Sequence, residues 1–404
     1  MSTTTIALNR PEPAVSGWMT LLLAFACGLI AANLYYAQPL AGPIGAALGL
    51  SPGATGLIVT LTQVGYGTGL LFIVPLGDLL ETRRLVLTLI SLATLALLGA
   101  ALSMHPLPFL AATLCIGLAS VAVQVLVPYA AHLAPEAVRG TVVGNVMSGL
   151  MLGIMLARPV SSFIAQIASW HAVFFISAGA MCLLAVMLRV ALPPRKPVST
   201  LSYGQLLASM AHLARTTPVL QRRALYQASL FAAFSLFWTT APLLLAGPEF
   251  RLSQGGIALF ALAGVAGAVA SPIAGRLADK GWTRPATAFA LLAVAAAFLI
   301  THIGTYGSAL SLGLLVAAGI LLDFGVTTNL VLGQRAIFVL GAEYRSRLNG
   351  LYMATFFAGG ALGSALGGLA YAHGGWALAS WLGAALPIAA LLYFATERPP
   401  GTGV

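Results

Sequence analysis

Two charged residues stand inside long apolar stretches of this sequence. Asp323, in GILLDFGV, is the only acid deep within such a stretch, and Arg158 lies in MLARPVSS. A charge at the centre of a bilayer costs about 2.5–3.5 kcal/mol on insertion scales, so it faces a cavity or a partner. A carboxyl at that depth can hold a proton or a cationic group, or form a structural hydrogen bond to a neighbouring helix. Arg158 can attract an anion, pair with an acid from elsewhere in the fold, or snorkel outward as a structural residue. Further polar side chains sit at comparable depth: Asn33, Tyr36, Gln38, Gln63, Gln124, Trp238, Thr239 and Asn329. Amides and aromatic rings suit a ligand that is part apolar. Each can also be an interhelical hydrogen bond, worth about 0.6 kcal/mol on average.

The residue types needed for catalysis are not assembled. GLSPG (49–53) matches the nucleophile-elbow pattern around Ser51, but it joins two apolar runs where the elbow needs a strand-to-helix turn. No GK dipeptide exists, so there is no phosphate-cradling loop, and the six histidines lack HExxH spacing. Cys27, Cys115 and Cys182 lie in separate apolar stretches, which indicates neither a disulfide framework nor a metal cluster. An enzyme is therefore not expected, nor a cofactor or bound metal. The energy for any work must come from a gradient or a separate partner.

The elements that position these residues follow from composition. Of 404 residues, 59% are hydrophobic and 7% charged, against about 25% charged in a soluble protein. A span needs roughly 20 apolar residues. Twelve continuous runs qualify: 18–40, 54–76, 85–104, 107–132, 141–168, 171–192, 224–247, 255–277, 286–305, 308–338, 348–371 and 376–395. They lack the alternation of a membrane barrel. Asp323 falls near the middle of the tenth, and Arg158 toward the outer third of the fifth. Tyr35 and Trp170 are expected in the interfacial aromatic belt.

Of the 19 Lys and Arg, all but Arg251 and Arg158 fall on the side of the two termini. That asymmetry predicts both termini in the cytoplasm, and it accounts for the net charge of +10 without nucleic acid. The longest loop, 193–223, divides the chain six plus six. It holds an amphipathic stretch with Tyr203, Leu206, Leu207, Met210 and Leu213 on one face, expected to lie on the membrane surface. The domains expected are a cytoplasmic tail at 1–17, six-helix bundles at 18–192 and 224–395, the central loop at 193–223 between them, and a second tail at 396–404.

The two halves echo each other. PLGDLLETRR (75–84) after span two matches IAGRLADKGWTR (273–284) after span eight. PEAVRG (135–140) after span four matches AEYRSRLNG (342–350) after span ten. Parallel repeats of this kind build one transporter class, with the substrate site near the midplane between the halves. Runs such as GYGTG (65–69) and GGALGSALGG (359–368) are expected to let backbones approach closely where the halves meet.

These motifs resemble the major facilitator superfamily across about residues 18–395. Gly77, Asp78, Glu81, Arg83 and Arg84 resemble its loop-two signature, and Gly275, Asp279, Lys280 and Arg284 the second copy, with Gly281 one residue early. NLYYAQPL (33–40), GNVMSGLMLGIMLARPVSSFIA (144–165), FSLFWTTAPLLL (234–245) and RSRLNGLYM (345–353) are similar to a bacterial branch related to drug–proton antiporters and sugar-efflux permeases. The resemblance implies an all-α fold of two pseudo-symmetric six-helix bundles, with spans one, four, seven and ten around a central cavity. It implies that the charges of the basic loops latch the two halves, with Glu136, Arg139, Glu343, Arg345 and Arg347 adding to the signature residues. Span four of many such antiporters carries an Arg linked to proton coupling. Here that stretch reads LCIGLASVAVQ (114–124), so proton coupling must rest elsewhere, and Asp323 is its candidate.

The expected function is secondary transport by alternating access: proton-coupled efflux of a drug-like or metabolite compound across the bacterial inner membrane. Uptake or facilitated diffusion of a sugar or organic acid is an alternative. A transport-dead sensor or a partner subunit is a third. The expected partners are a small-molecule substrate, protons and membrane lipid, with the chain a monomer and no role for nucleic acid.

Overall fold

A backbone buried in lipid must satisfy its own hydrogen bonds, which leaves helices as the outcome for long Leu- and Ala-rich runs. The computed structural model describes residues 16–197, 201–341 and 344–397, and every regular element among them is helical. The first half contains α1 (Gly17–Ala32), α2 (Ala41–Leu48), α3 (Leu57–Phe72), α4 (Thr82–Leu102), α5 (Pro106–Ser120), α6 (Ala122–Leu133), α7 (Arg139–Ile167) and α8 (Trp170–Ala191). A surface helix, α9 (Tyr203–Thr216), follows. The second half contains α10 (Pro218–Ala246), α11 (Gln254–Ala261), α12 (Gly267–Asp279), α13 (Thr283–Ile300), α14 (Ala309–Phe338) and α15 (Arg345–Ala395).

Among the described residues, ten helical segments are long and apolar enough to cross a membrane. One of them, α15, runs 51 residues, but Gly374 and Gly375 are non-helical inside it. Gly375 has φ 59, a left-handed backbone open to glycine without strain, so α15 makes two spans. The shorter α1 with α2 supplies the remaining one, which gives twelve.

The first span differs from the continuous helix expected over 18–40. The α-helix stops at Ala32, and 33–40 continues in tight turns such as Tyr35 N–H to the Ala32 carbonyl at 3.0 Å. Pro39 has no N–H, and its ring would collide with the Tyr35 carbonyl in a regular helix. That break re-aims the side chains of Asn33, Tyr35 and Gln38. Trp170 also departs from expectation. It is buried at the start of α8, edge-on to Phe109 and Phe174, rather than in an interfacial belt.

Small residues set the packing. A Cβ on Gly149 would lie 2.5 Å from the Ala24 carbonyl oxygen, so α1 and α7 touch backbone to backbone. The expectation that glycine runs smooth the contact between halves holds only in part. Gly65 and Gly69 press on Leu114 and Leu118 of α5, and Gly359 and Gly363 on Ala228 and Ala232 of α10, all within one half. Across the halves, Gly56 meets Gly368, Gly67 meets Phe357, and Thr60 shares a 2.8 Å hydrogen bond with Ser364. The contact with α15 thus runs along most of α3.

Helix α9 is tied to the protein rather than only lying on a surface. Ser202 and Gln205 form a reciprocal capping box that starts it. Leu206 and Met210 are buried in a small cleft shared by Leu70 and Pro75 of the first half and Gly350 of the second. The Tyr203 hydroxyl donates to the Phe72 carbonyl at 2.8 Å, and Arg347 donates to Ser209. The helix therefore bridges both halves on the face that carries the basic loops.

Candidate functional site

Asp323 and Arg158 come together in the core, from opposite halves. Asp323 lies on α14 and Arg158 on α7, with 5% and 3% of their surfaces exposed. The snorkelling alternative for Arg158 is overturned: its Nε donates to Gln38 Oε1 at 2.8 Å, inside the protein. Its guanidinium carbon lies 4.4 Å from the Trp238 ring centre, 4.9 Å from Phe234 and 5.3 Å from Tyr35. Such ring contacts favour a desolvated cation by about 2 kcal/mol. Tyr35 therefore lines this cluster and is not an interfacial anchor.

The carboxylate has its own partner. Trp238 Nε1 donates to Asp323 Oδ1 at 2.8 Å. Arg158 and Asp323 do not form a direct ion pair, but both flank Gly264. A Cβ there would lie 2.9 Å from Asp323 Oδ2 and 3.1 Å from Arg158 Nη1. Glycine is thus what lets the segment following α11 close over the two charges. Arg158 Nη2, Gln38 Nε2 and Thr239 Oγ1 are buried without a hydrogen-bond partner. The site holds one cation, one carboxylate, three aromatic rings and spare polar capacity.

The other polar residues are distributed. Gln63 Nε2 donates to Ser235 Oγ at 2.8 Å and joins α3 to α10 across the halves, near the cluster's aromatic floor. Four do not reach the cluster: Asn33, Tyr36, Gln124 and Asn329. Asn33 Oδ1 accepts from Ser177 at 2.6 Å, within the first half, and the half-buried Tyr36 neighbours the same serine. Gln124 donates to the Tyr66 hydroxyl at 2.9 Å, linking α6 to α3. Asn329 donates to Gln227 at 2.7 Å, linking α14 to α10.

Sequence reasoning missed Phe234, Gly264, Ser235 and Gln227. Phe234 lies one helical turn before Trp238, a spacing that could have exposed it. Gly264 gives no such signal in a run of Ala and Gly.

The basic loops are less of a direct latch than expected. Glu81 pairs with Arg84 at 2.8 Å, and Arg83 donates to the Leu192 carbonyl at 3.3 Å. Arg139 donates to the Ala131 carbonyl at 3.0 Å, and Asp279 pairs with Arg335, which lies over Gly275. Arg284 donates to the Glu397 carbonyl at 2.8 Å and Arg345 to the Phe338 carbonyl at 3.2 Å. Each of these contacts stays within one half. Lys280 and Glu136 are exposed, and Gly77 packs on Val125. Glu343 lies outside the described residues. The cross-half element is the α9 cleft, which Asp78 and Arg347 line from opposite halves.

The two ends of the site are unequal. On the face opposite the basic loops, α7 packs on α11, and Gly255 N–H donates to Gln166 Oε1 at 3.0 Å. Toward the basic face, the first half of α7 leaves Thr141, Asn145 and Ser148 exposed. The halves thus meet along α7 at the end opposite the basic loops, while α7 exposes polar side chains toward those loops.

Comparison with known proteins agrees with this architecture. A family model described as Major Facilitator Superfamily matches residues 21–342. The chain is 41% identical over 386 residues to the uncharacterized transporter YgaY of Escherichia coli O157:H7, covering 95% of this chain and 97% of that one. It is 33% identical to the probable transporter SCO4007 of Streptomyces coelicolor, covering 91% and 84%. Among solved structures, a POT family transporter in complex with 5-aminolevulinic acid superposes with a TM-score of 0.75 at 13% identity, covering 95% and 97%. An inward-facing bacterial homolog of the human lysosomal transporter Spinster gives 0.69 at 14% identity, covering 94% of each chain.

Proposed function

The chain belongs to the Major Facilitator Superfamily and is a multi-pass membrane transporter; from that premise we propose that it exports a small, part-apolar molecule in exchange for inward-moving protons. Asp323 carries the proton, and Arg158 opposes it from the other half. The observation that supports this is their shared position: one buried carboxylate and one buried guanidinium flank Gly264 from opposite halves without direct contact. A carboxylate there is balanced by the cation, and a protonated Asp323 leaves the cation free. The load on the site thus biases how the halves meet, as differential affinity for two states requires.

The substrate lies beside Trp238, Phe234 and Tyr35, where rings accept an apolar body. Arg158 Nη2, Gln38 Nε2 and Thr239 are buried polar groups with capacity for its polar end. The described state is the one that receives substrate from the basic side, through the stripe of Thr141, Asn145 and Ser148. That side is cytoplasmic, with both termini on it, in a bacterial inner membrane. The chain works as a monomer. One charge moved through 100 mV supplies about 2.3 kcal/mol, enough for roughly a fifty-fold gradient.

The test is reconstitution. A ligand found by thermal shift on purified protein is loaded into proteoliposomes, and flux is followed under an imposed pH gradient. Uphill movement of the ligand that collapses with a protonophore supports the proposal. Equal flux with and without the gradient would leave only facilitated diffusion.

A further inference from the structure

A cavity of about 490 Å³ opens on the basic face of the second half, away from the central charge pair. Its lining includes Val219, Arg222, Arg223, Thr396 and Glu397. We propose that it binds the phosphate of an anionic phospholipid, with Arg222 as the principal contact.

The charge count favours an anion. Glu397 is fully engaged: Arg223 Nη2 donates to its Oε1 at 3.0 Å and the Tyr226 hydroxyl to its Oε2 at 3.1 Å. Arg284 Nη2 donates to the Glu397 main-chain oxygen at 2.8 Å. Arg222 has no carboxylate partner among the described residues. Its Nη1 reaches only hydroxyls, Thr396 at 3.2 Å and Tyr226 at 3.4 Å. Three guanidinium groups therefore stand around one side-chain carboxylate, which accepts from Arg223 alone among them, and Arg222 on the cavity rim is left without a counter-charge of its own. Arg222 is also pre-oriented, its guanidinium carbon 4.7 Å from the Tyr393 ring centre. A planar fork held in one orientation suits the oxygens of a phosphate.

Position favours a lipid over a phosphate in solution. The cavity lies where α10 begins and α15 ends, the level of headgroups, and basic pockets at that level recruit anionic lipid. Deeper along the same two helices, Leu225 and Leu392 are exposed and apolar. They offer acyl chains a path from the cavity into the leaflet that the basic face meets.

The experiment titrates short-chain phosphatidylglycerol, phosphatidylcholine or inorganic phosphate into the purified full chain in neutral detergent. The readout is the unfolding midpoint. Phosphatidylglycerol is expected to raise it and phosphatidylcholine to leave it unchanged. Arg222→Gln should weaken the apparent affinity about fivefold, Arg222→Lys should recover only part of that loss because it keeps the charge without the planar fork, and the exposed Arg215→Gln should match the wild type. An equal response of Arg222→Gln and wild type to phosphatidylglycerol would overturn the site. So would an equal response to phosphatidylcholine. If inorganic phosphate alone reproduces the shift, and Arg222→Gln abolishes it, the lipid assignment fails and the site belongs to a soluble phosphate.

Discussion

At the scale of single residues, Arg158 offers a discriminating substitution. Its Nε bond to Gln38 and its stacking on Trp238 depend on a planar guanidinium. A lysine keeps the charge and loses both. Arg158→Lys is expected to transport nearly as poorly as Arg158→Ala in proteoliposome flux, while still reaching the membrane. Wild-type flux in the Lys variant would remove Arg158 from the mechanism. Asp323 and Arg158 were legible in the sequence because a charge inside an apolar run is costly and needs a reason. Tyr35 and Phe234 were not. An aromatic side chain in such a run has no polarity contrast with its neighbours, and only the break at Pro39 turns Tyr35 inward. The sequence also had no means of separating Gln38, which meets Arg158, from Asn33, which bonds within its own half. Both are amides in the same short motif, and their partners lie far away in the chain.

At the scale of elements, α9 lies furthest from its expected place. Its amphipathic face was visible, and the sequence reading placed it on the membrane surface. The structure gives Leu206 and Met210 a protein cleft between the halves instead. Amphipathicity alone shows that a face is buried, not what buries it. Leu206→Ala and Met210→Ala should each destabilise the protein by about 2–5 kcal/mol if the cleft is maintained, seen as a lower unfolding midpoint in detergent. Leu207→Ala, at the half-buried position one residue on, should cost less than either. Equal midpoints for all three would return α9 to the membrane surface. The basic loops show the same limit of reading. Their charges were visible, but Arg83, Arg139 and Arg284 donate to main-chain carbonyls, and a carbonyl partner leaves no trace in residue type.

At the scale of the whole molecule, the twelve spans and their division into two similar halves were legible because hydrocarbon thickness fixes span length. The arrangement of the halves was not. Whether α7 packs on α11 or on α12 depends on which of several packings is populated, and both have apolar faces. Orientation is open to direct measurement. In a cysteine-free background, Ser51→Cys and His373→Cys should react with an impermeant thiol reagent added to intact cells, and Lys196→Cys should react only after lysis. All three side chains are exposed. Labelling of Lys196→Cys in sealed cells would invert the expected topology and the proposed direction of transport with it. The central claim is that Asp323 couples transport to protons. Asparagine keeps its shape and can still accept from Trp238, but cannot ionise. The decisive measurement is pH-gradient-driven accumulation in proteoliposomes carrying Asp323→Asn, beside exchange of the same ligand without a gradient. Exchange that persists while accumulation is lost is the predicted result; accumulation at the wild-type rate would contradict it.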